Sequence, residues 1–429
     1  MRLGRLPLVG HALAFHADST GFLLRIAREQ GDVARFRLGR TDAFLLAHPD
    51  QVRTVLVDRA ADFGKGRLMQ RARRLLGDGL LTSEGEAHRQ QRRRVQPVFA
   101  RERLHLYGAL VPELVTDHAA CWRHGSRIRL DAEMDGLAMK VVPRALLGAD
   151  IEHEVPALRN ALHRLARWAP LLAAPGGKAL ERVRLPIVGR LGEAIETIET
   201  AVDRQIAQGG DTAPLLEALL HSTADLPSSR RLVRDEVMTI FLAGHDTTSA
   251  ALTWTWLLLG SHPEVESRLH GEIASVLGGR KPRMDDLDKL SYAAMVVKET
   301  LRLYPPISRI GRRPLEDMAF GSVRLAKDAT VFLSPFVTQR DPRWFADPEQ
   351  YQPERWARPA PDRPRFAWFP FGAGPRSCVG EHFALGVLTL ALVTIAQRWR
   401  LIPTAKLPRR RSLLTLKPRG AVWMTVEAR

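Results

Sequence analysis

Apolar and polar positions along the chain fall into four regimes. Val33–Leu38 and Ala43–Ala47 carry strand-like runs, and Gly39-Arg40 between them reads as the turn of a small hairpin. From about His48 to Pro306 the apolar spacing is mostly helical. Breakers cluster at Pro170, Pro175, Gly176, Gly177 and Pro186, as in a lid between two helices. Gly209-Gly210-Asp211 and Gly278-Gly279 mark two further loops. Within the helical regime, Arg231–Gly260 reads as one long helix closed by Gly260-Ser261-His262-Pro263. After Pro314 the pattern changes again, with short strands predicted at Val323–Leu325 and Thr330–Leu333. Asp341 to Pro375 is coil with eight prolines. An irregular stretch of that length inside a folded chain is usually functional. Phe383, Leu385, Val387, Leu388, Leu390, Leu392 and Ile395 then announce another buried helix. No internal repeat is present. The pattern predicts a single domain over residues 1–429, mainly α with a minor β portion.

Composition narrows the function. Apolar residues make up 45% of the 429 residues, enough for a large core. The two cysteines, Cys121 and Cys378, form no disulfide framework and no zinc motif, which fits a reducing cytoplasm. Cys121, in His118-Ala119-Ala120-Cys121-Trp122, is expected to be a small core residue. No early apolar stretch is long enough for a signal peptide or membrane anchor. The net charge of +17 raises the question of nucleic acid. The arginines are scattered in pairs and triplets, and no nucleic-acid-binding motif accompanies them. They are read as solvated surface, with part of them a dock for an acidic protein partner.

The chemistry concentrates at Phe371-Gly372-Ala373-Gly374-Pro375-Arg376-Ser377-Cys378-Val379-Gly380, immediately before the last buried helix. A thiolate there would sit in a backbone nest at a helix N-terminus, and both features are expected to lower its pKa. The glycines permit positive φ and a close approach of a large flat group. The centre of the long helix, Ala243-Gly244-His245-Asp246-Thr247-Thr248-Ser249, is a poor helix former. It is expected to form a polar notch, opened by Gly244 and bent by back-bonding threonines.

The cysteine run closely resembles the haem-ligand loop of the cytochrome P450 family, F-x-x-G-x-R-x-C-x-G. The notch resembles that family's oxygen-activation motif, A-G-x-[D/E]-T-T. Glu299-Thr300-Leu301-Arg302 and Pro353-Glu354-Arg355-Trp356 resemble its E-x-x-R and P-E-R-[F/W] segments. His88 and Arg92 match its H-x-x-x-R. The resemblance covers essentially the whole chain. It implies haem b between the long helix and the helix after Cys378, with the Cys378 thiolate on the iron. It implies that His88, Arg92, Arg376 and Arg312 (or Arg313) meet the haem propionates, and that Ala243, Phe371, Gly372 and Gly380 line the cofactor. It also implies a structural network of Glu299, Arg302 and Arg355. Thr247 would hydrogen-bond bound dioxygen and Asp246 would supply protons.

The implied reaction inserts one oxygen atom of dioxygen into a lipophilic small molecule of terpenoid, fatty acyl or polyketide type. The expected pocket draws on residues 64–80, the 160–190 lid, Ala243, Pro306, Ile307 and the turn near Leu414. No flavin or nicotinamide motif occurs, so electrons are expected from a separate ferredoxin and its reductase, with the protein a cytoplasmic monomer. A haem sensor or carrier without oxygenase activity and a peroxide-driven oxygenase are the alternatives. The Asp246–Thr247 pair argues against both.

Overall fold

The computed structural model describes residues 9–148, 186–208, 214–223 and 229–429, with a few positions between 157 and 164. The breakers from Pro170 to Gly177, read as part of a lid, and the Gly209–Asp211 loop lie outside the described residues, while Pro186 opens the helix Pro186–Gln208.

The long helix is Ser229–Gly260, and it forms the axis of the core. Trp254 and Trp256 on it are fully buried. It packs most extensively on Leu130–Leu147, and also on Ser291–Leu303 and Glu381–Ala396. Three of its threonines satisfy their hydroxyls one turn back. Thr247, Thr253 and Thr255 donate to Ala243 O, Ser249 O and Ala251 O at 2.7, 2.7 and 2.8 Å.

The hairpin forms with Val33–Leu38 antiparallel to Thr41–Leu46, and Leu38 opposes Thr41. It is part of a five-stranded sheet. Thr330–Leu333 adds in parallel to Thr41–Leu46, followed by Ile310–Pro314 and Phe63–Lys65. Thus the chain's start is joined to the segment just after Ser291–Leu303. The proline-rich coil is ordered by three short 3-10 turns at Pro353–Trp356, Arg365–Ala367 and Gly374–Arg376. Near the C-terminus, Arg410–Ser412 pairs with Leu416–Pro418 as a hairpin that lies against the long helix.

Cys121 does not join the core. It ends a 3-10 turn, Ala119–Cys121, and is exposed, while the adjacent Trp122 points inward. The tightening to 3-10 geometry shifts the helical phase by which Cys121 had been placed inside.

Candidate active site

The cysteine loop is built by its own backbone. Cys378 N–H donates to Phe371 O at 2.8 Å, and Gly372 N–H donates to Phe369 O at 3.0 Å. Gly372 and Gly374 adopt φ of 71° and 68°. At Gly374 a Cβ would lie 1.9 Å from Leu56 O, so no other residue fits without moving the backbone. Gly380 is the N-cap of Glu381–Ala396 and has no such constraint: a Cβ there would touch only the Phe99 ring, at 3.6 Å. Phe371 meets Trp368 edge-on at 6.3 Å.

Cys378 itself is exposed. Its thiol runs against expectation. Surrounding protein pushes its pKa up to about 11, while the Gly380 N–H and Arg92 pull it down by less. Desolvation of a thiolate outweighs one amide and one partly shielded guanidinium. A cation at Sγ would reverse this balance, because coordination deprotonates a thiol outright.

Basic side chains gather beside the loop. Arg92 donates to Ser377 O at 2.7 Å and to Ser377 Oγ at 3.1 Å. Arg376 donates to Phe63 O at 2.7 Å. His88 is buried, and burial first, then Lys65, Arg376, Arg92 and Arg312, push its pKa down to about 4. Arg312 is held down to about 10 by burial and by Arg376. Arg313 is paired with Asp328 at 2.9 Å and with Glu84 at 3.5 Å, whereas Arg312 donates to Gly311 O at 3.0 Å; Arg376 feels the charge of both. Lys65 was not singled out from the sequence. It is buried, donates to Leu80 O and Leu81 O at 2.8 Å each, and is depressed to about 7 by burial, Arg376 and Arg312. So many buried and half-buried basic groups that oppose one another's protonation call for an anionic guest. A dicarboxylate with a metal cation at Cys378 Sγ matches this donor set, and haem is such a group.

In the long helix, Ala243 is exposed while Phe241 and His245 are buried. Gly244 does not open the notch. Its missing Cβ would lie 2.8 Å from Val142 Cγ1, so the glycine serves close packing against Leu130–Leu147. Asp246 accepts from Thr415 Oγ1 at 2.6 Å and pairs with Lys417 Nζ at 2.5 Å. Burial opposes its ionisation, but Lys417, His245 and Thr415 together hold its pKa below the usual carboxylate range. Thr415, Lys417, Asp135 and His245 carried no motif signal, because their roles depend on pairing across distant segments. Near this strand, Pro306 is buried and its carbonyl accepts from Leu416 N–H at 2.8 Å. Ile307 and Leu414 are exposed apolar residues.

The expected ion network is assembled. Glu299 and Arg302 are both 0% exposed and form a two-pronged pair at 2.9 Å for each contact. Arg355 Nε donates to Glu299 Oε1 at 2.9 Å, and Trp356 Nε1 adds a bond to Oε2 at 2.9 Å.

A family model described as Cytochrome P450 matches residues 2–424. The chain is a cytochrome P450. It is similar to cyclooctatin synthase of Streptomyces melanosporofaciens, at 36% identity over 97% of this chain and 93% of the relative. Cyclooctat-9-en-7-ol 5-monooxygenase of the same organism is 34% identical over 93% of this chain and 89% of that protein. Pentalenene oxygenase of Streptomyces avermitilis is 34% identical over 92% and 90%. This P450 is therefore a monooxygenase, an oxidoreductase that uses a haem-thiolate cofactor and dioxygen. Among the described residues no helix is long and apolar enough to cross a membrane.

Proposed function

We propose that this P450 oxygenates a lipophilic terpenoid, with haem b as cofactor and electrons delivered by a ferredoxin and its reductase. The observation that carries the reading is the exposed thiol of Cys378 beside a basic cluster of the buried Lys65 and His88 and the half-buried Arg92, Arg312 and Arg376. When bound, the haem supplies dioxygen activation and oxygen transfer. Cys378 Sγ holds the iron. Arg92, Arg312 and Arg376 would neutralise the propionates, His88 would hydrogen-bond to them, and Phe371, Gly372 and Gly380 would leave room along the ring. Thr247 Oγ1 would pass a proton into the cleft, and Asp246 would take a proton from bulk water and relay it to that hydroxyl. Ala243, Pro306, Ile307 and Leu414 present an apolar wall that orients the substrate and excludes water. The names of three relatives, two built on cyclooctatin and one on pentalenene, support a cyclic terpenoid over a fatty acyl or polyketide substrate. Exposed Arg89 and Arg93 flank Arg92 on the helix bonded to the cysteine loop, which supports an acidic ferredoxin at that face. The same reading makes the protein a cytoplasmic monomer with one haem domain.

A panel of cyclic terpene hydrocarbons and alcohols, screened by the shift of the haem absorption band, tests the substrate class. The best ligand is then turned over with ferredoxin, reductase and isotopically labelled dioxygen. One labelled oxygen in the product is expected. Spectral shifts confined to acyl or polyketide ligands would overturn the terpenoid assignment.

A further inference from the structure

Both oxygens of Asp246 are engaged by one strand, Leu416–Pro418, and the residue before it. Thr415 Oγ1 reaches Oδ2 at 2.6 Å, and Lys417 Nζ reaches Oδ1 at 2.5 Å. The strand is fastened to the long helix between these contacts, since Trp254 Nε1 donates to Leu416 O at 2.8 Å. Lys417 also lies 3.8 Å from Oδ1 of the buried Asp135, on Leu130–Leu147. That same oxygen meets His245 Nε2 at 3.1 Å and Ser249 Oγ at 3.4 Å. One ammonium therefore bridges carboxylates on two different helices. Two carboxylates in a mostly enclosed site destabilise each other's charge, and a cation between them removes that conflict.

We propose that Lys417 is the positioning residue of the proton relay: it holds the Asp246 carboxylate ionised against the C-terminal hairpin, as the acceptor that takes each proton from bulk water before passing it on, and anchors itself on Asp135. The proposal rests on the reading of Asp246 as the proton supplier. The charged or titratable groups around that carboxylate are Lys417 from the hairpin, His245 from its own helix and Asp135 from Leu130–Leu147, the last reached through Lys417. Removing the ammonium leaves burial, which favours the neutral acid. Asp246 then titrates closer to neutral pH.

The test uses the haem-loaded full chain with K417Q, K417R and the double variant D246N/K417Q. Infrared difference spectra are recorded across a pH titration and read for the C=O stretch of a protonated carboxyl group. K417Q is expected to show a new band that rises as pH falls and is missing from D246N/K417Q, while K417R matches the wild type. Product yield per reduced cofactor should become pH-dependent in K417Q and regain the wild-type profile in K417R. If K417Q does not fold, Thr415→Val removes the bond to Oδ2 and should shift the same band in the same direction by less. No new band together with a wild-type pH profile would overturn the proposal. A new band with an unchanged yield profile would uphold the hold of Lys417 on Asp246 and refute the proton-supply role of Asp246.

Discussion

Arg302→Lys keeps the charge at the centre of the buried network and removes only its shape. In the wild type the guanidinium makes five hydrogen bonds: two to Glu299 and one each to the carbonyls of Gln339, Pro348 and Gln350. A lysine ammonium has three donors, so at least two of these acceptors lose their partner. Each unsatisfied buried acceptor costs about 1–3 kcal/mol, which puts the loss at about 2–6 kcal/mol. A typical domain has only about 5–15 kcal/mol in total. The damage extends toward the cofactor loop. The Gln339 side chain donates to Leu301 O and Arg302 O and accepts from Phe369 N–H, two residues before Phe371. Arg302→Lys is therefore expected to lower the guanidinium midpoint sharply and to purify with little haem. The assay is denaturant unfolding followed by near-ultraviolet dichroism, alongside the ratio of haem to protein absorbance. A variant within about 0.5 kcal/mol of the wild type, fully loaded with haem, would refute the argument that fork geometry holds the coil.

Three other outcomes follow from the site. Gly244→Ala should destabilise by overpacking against Val142, about 1–3 kcal/mol before the helix-propensity gain of about 1 kcal/mol. In a Val142→Ala background its sign should reverse in thermal melts, and a stabilised single variant would contradict the packing role. Thr247→Ala should bind haem and substrate yet release peroxide or water in place of product, and Asp246→Asn should slow turnover more than it uncouples it. Product formed per reduced cofactor measures both, and wild-type coupling in Thr247→Ala would remove Thr247 from the proton path. His88 carries a folded-state pKa of about 4 against an ordinary value of 6.5, so the unfolded chain binds the extra proton between those values. The haem-free protein should therefore lose stability as pH falls from 6.5 toward 4, and His88→Gln should flatten that part of the melting-temperature profile. An unaltered slope would show that His88 is not the group responsible.

The features legible in the sequence were those encoded in short, contiguous runs. The cysteine loop, the Ala243–Ser249 stretch and the Glu299–Arg302 pair each carry their chemistry within one or two turns of backbone. The long helix is readable because its apolar flanks outlast its polar centre, and its C-terminal end is marked by Gly260 and Pro263. What escaped depends on tertiary pairing. Phe63–Lys65 is three residues long and becomes a strand only by pairing with Ile310–Pro314, which also buries Lys65. Lys417 and Thr415 gain meaning only when their strand lies against a helix about 170 residues earlier in the chain, with Thr415 meeting Asp246. Gly244 looked like an opening because a glycine in a polar helix suggests space. The space is filled by Val142 of a neighbouring helix, which periodicity does not reveal. The thiol of Cys378 was misjudged for a similar reason. Nest and helix terminus are local and visible in sequence, whereas desolvation is a property of everything packed around the loop.

Every role assigned to the site depends on Cys378 being the thiolate that holds the haem iron. The most direct measurement is the absorption spectrum of the reduced carbon-monoxide complex of the wild type and of Cys378→Ser. The wild type is predicted to show the red-shifted Soret band that only a thiolate opposite carbon monoxide produces, and Cys378→Ser to lose it. A red-shifted band that persists in Cys378→Ser would contradict the account and move the ligand to Cys121, which lies exposed at the end of a surface turn.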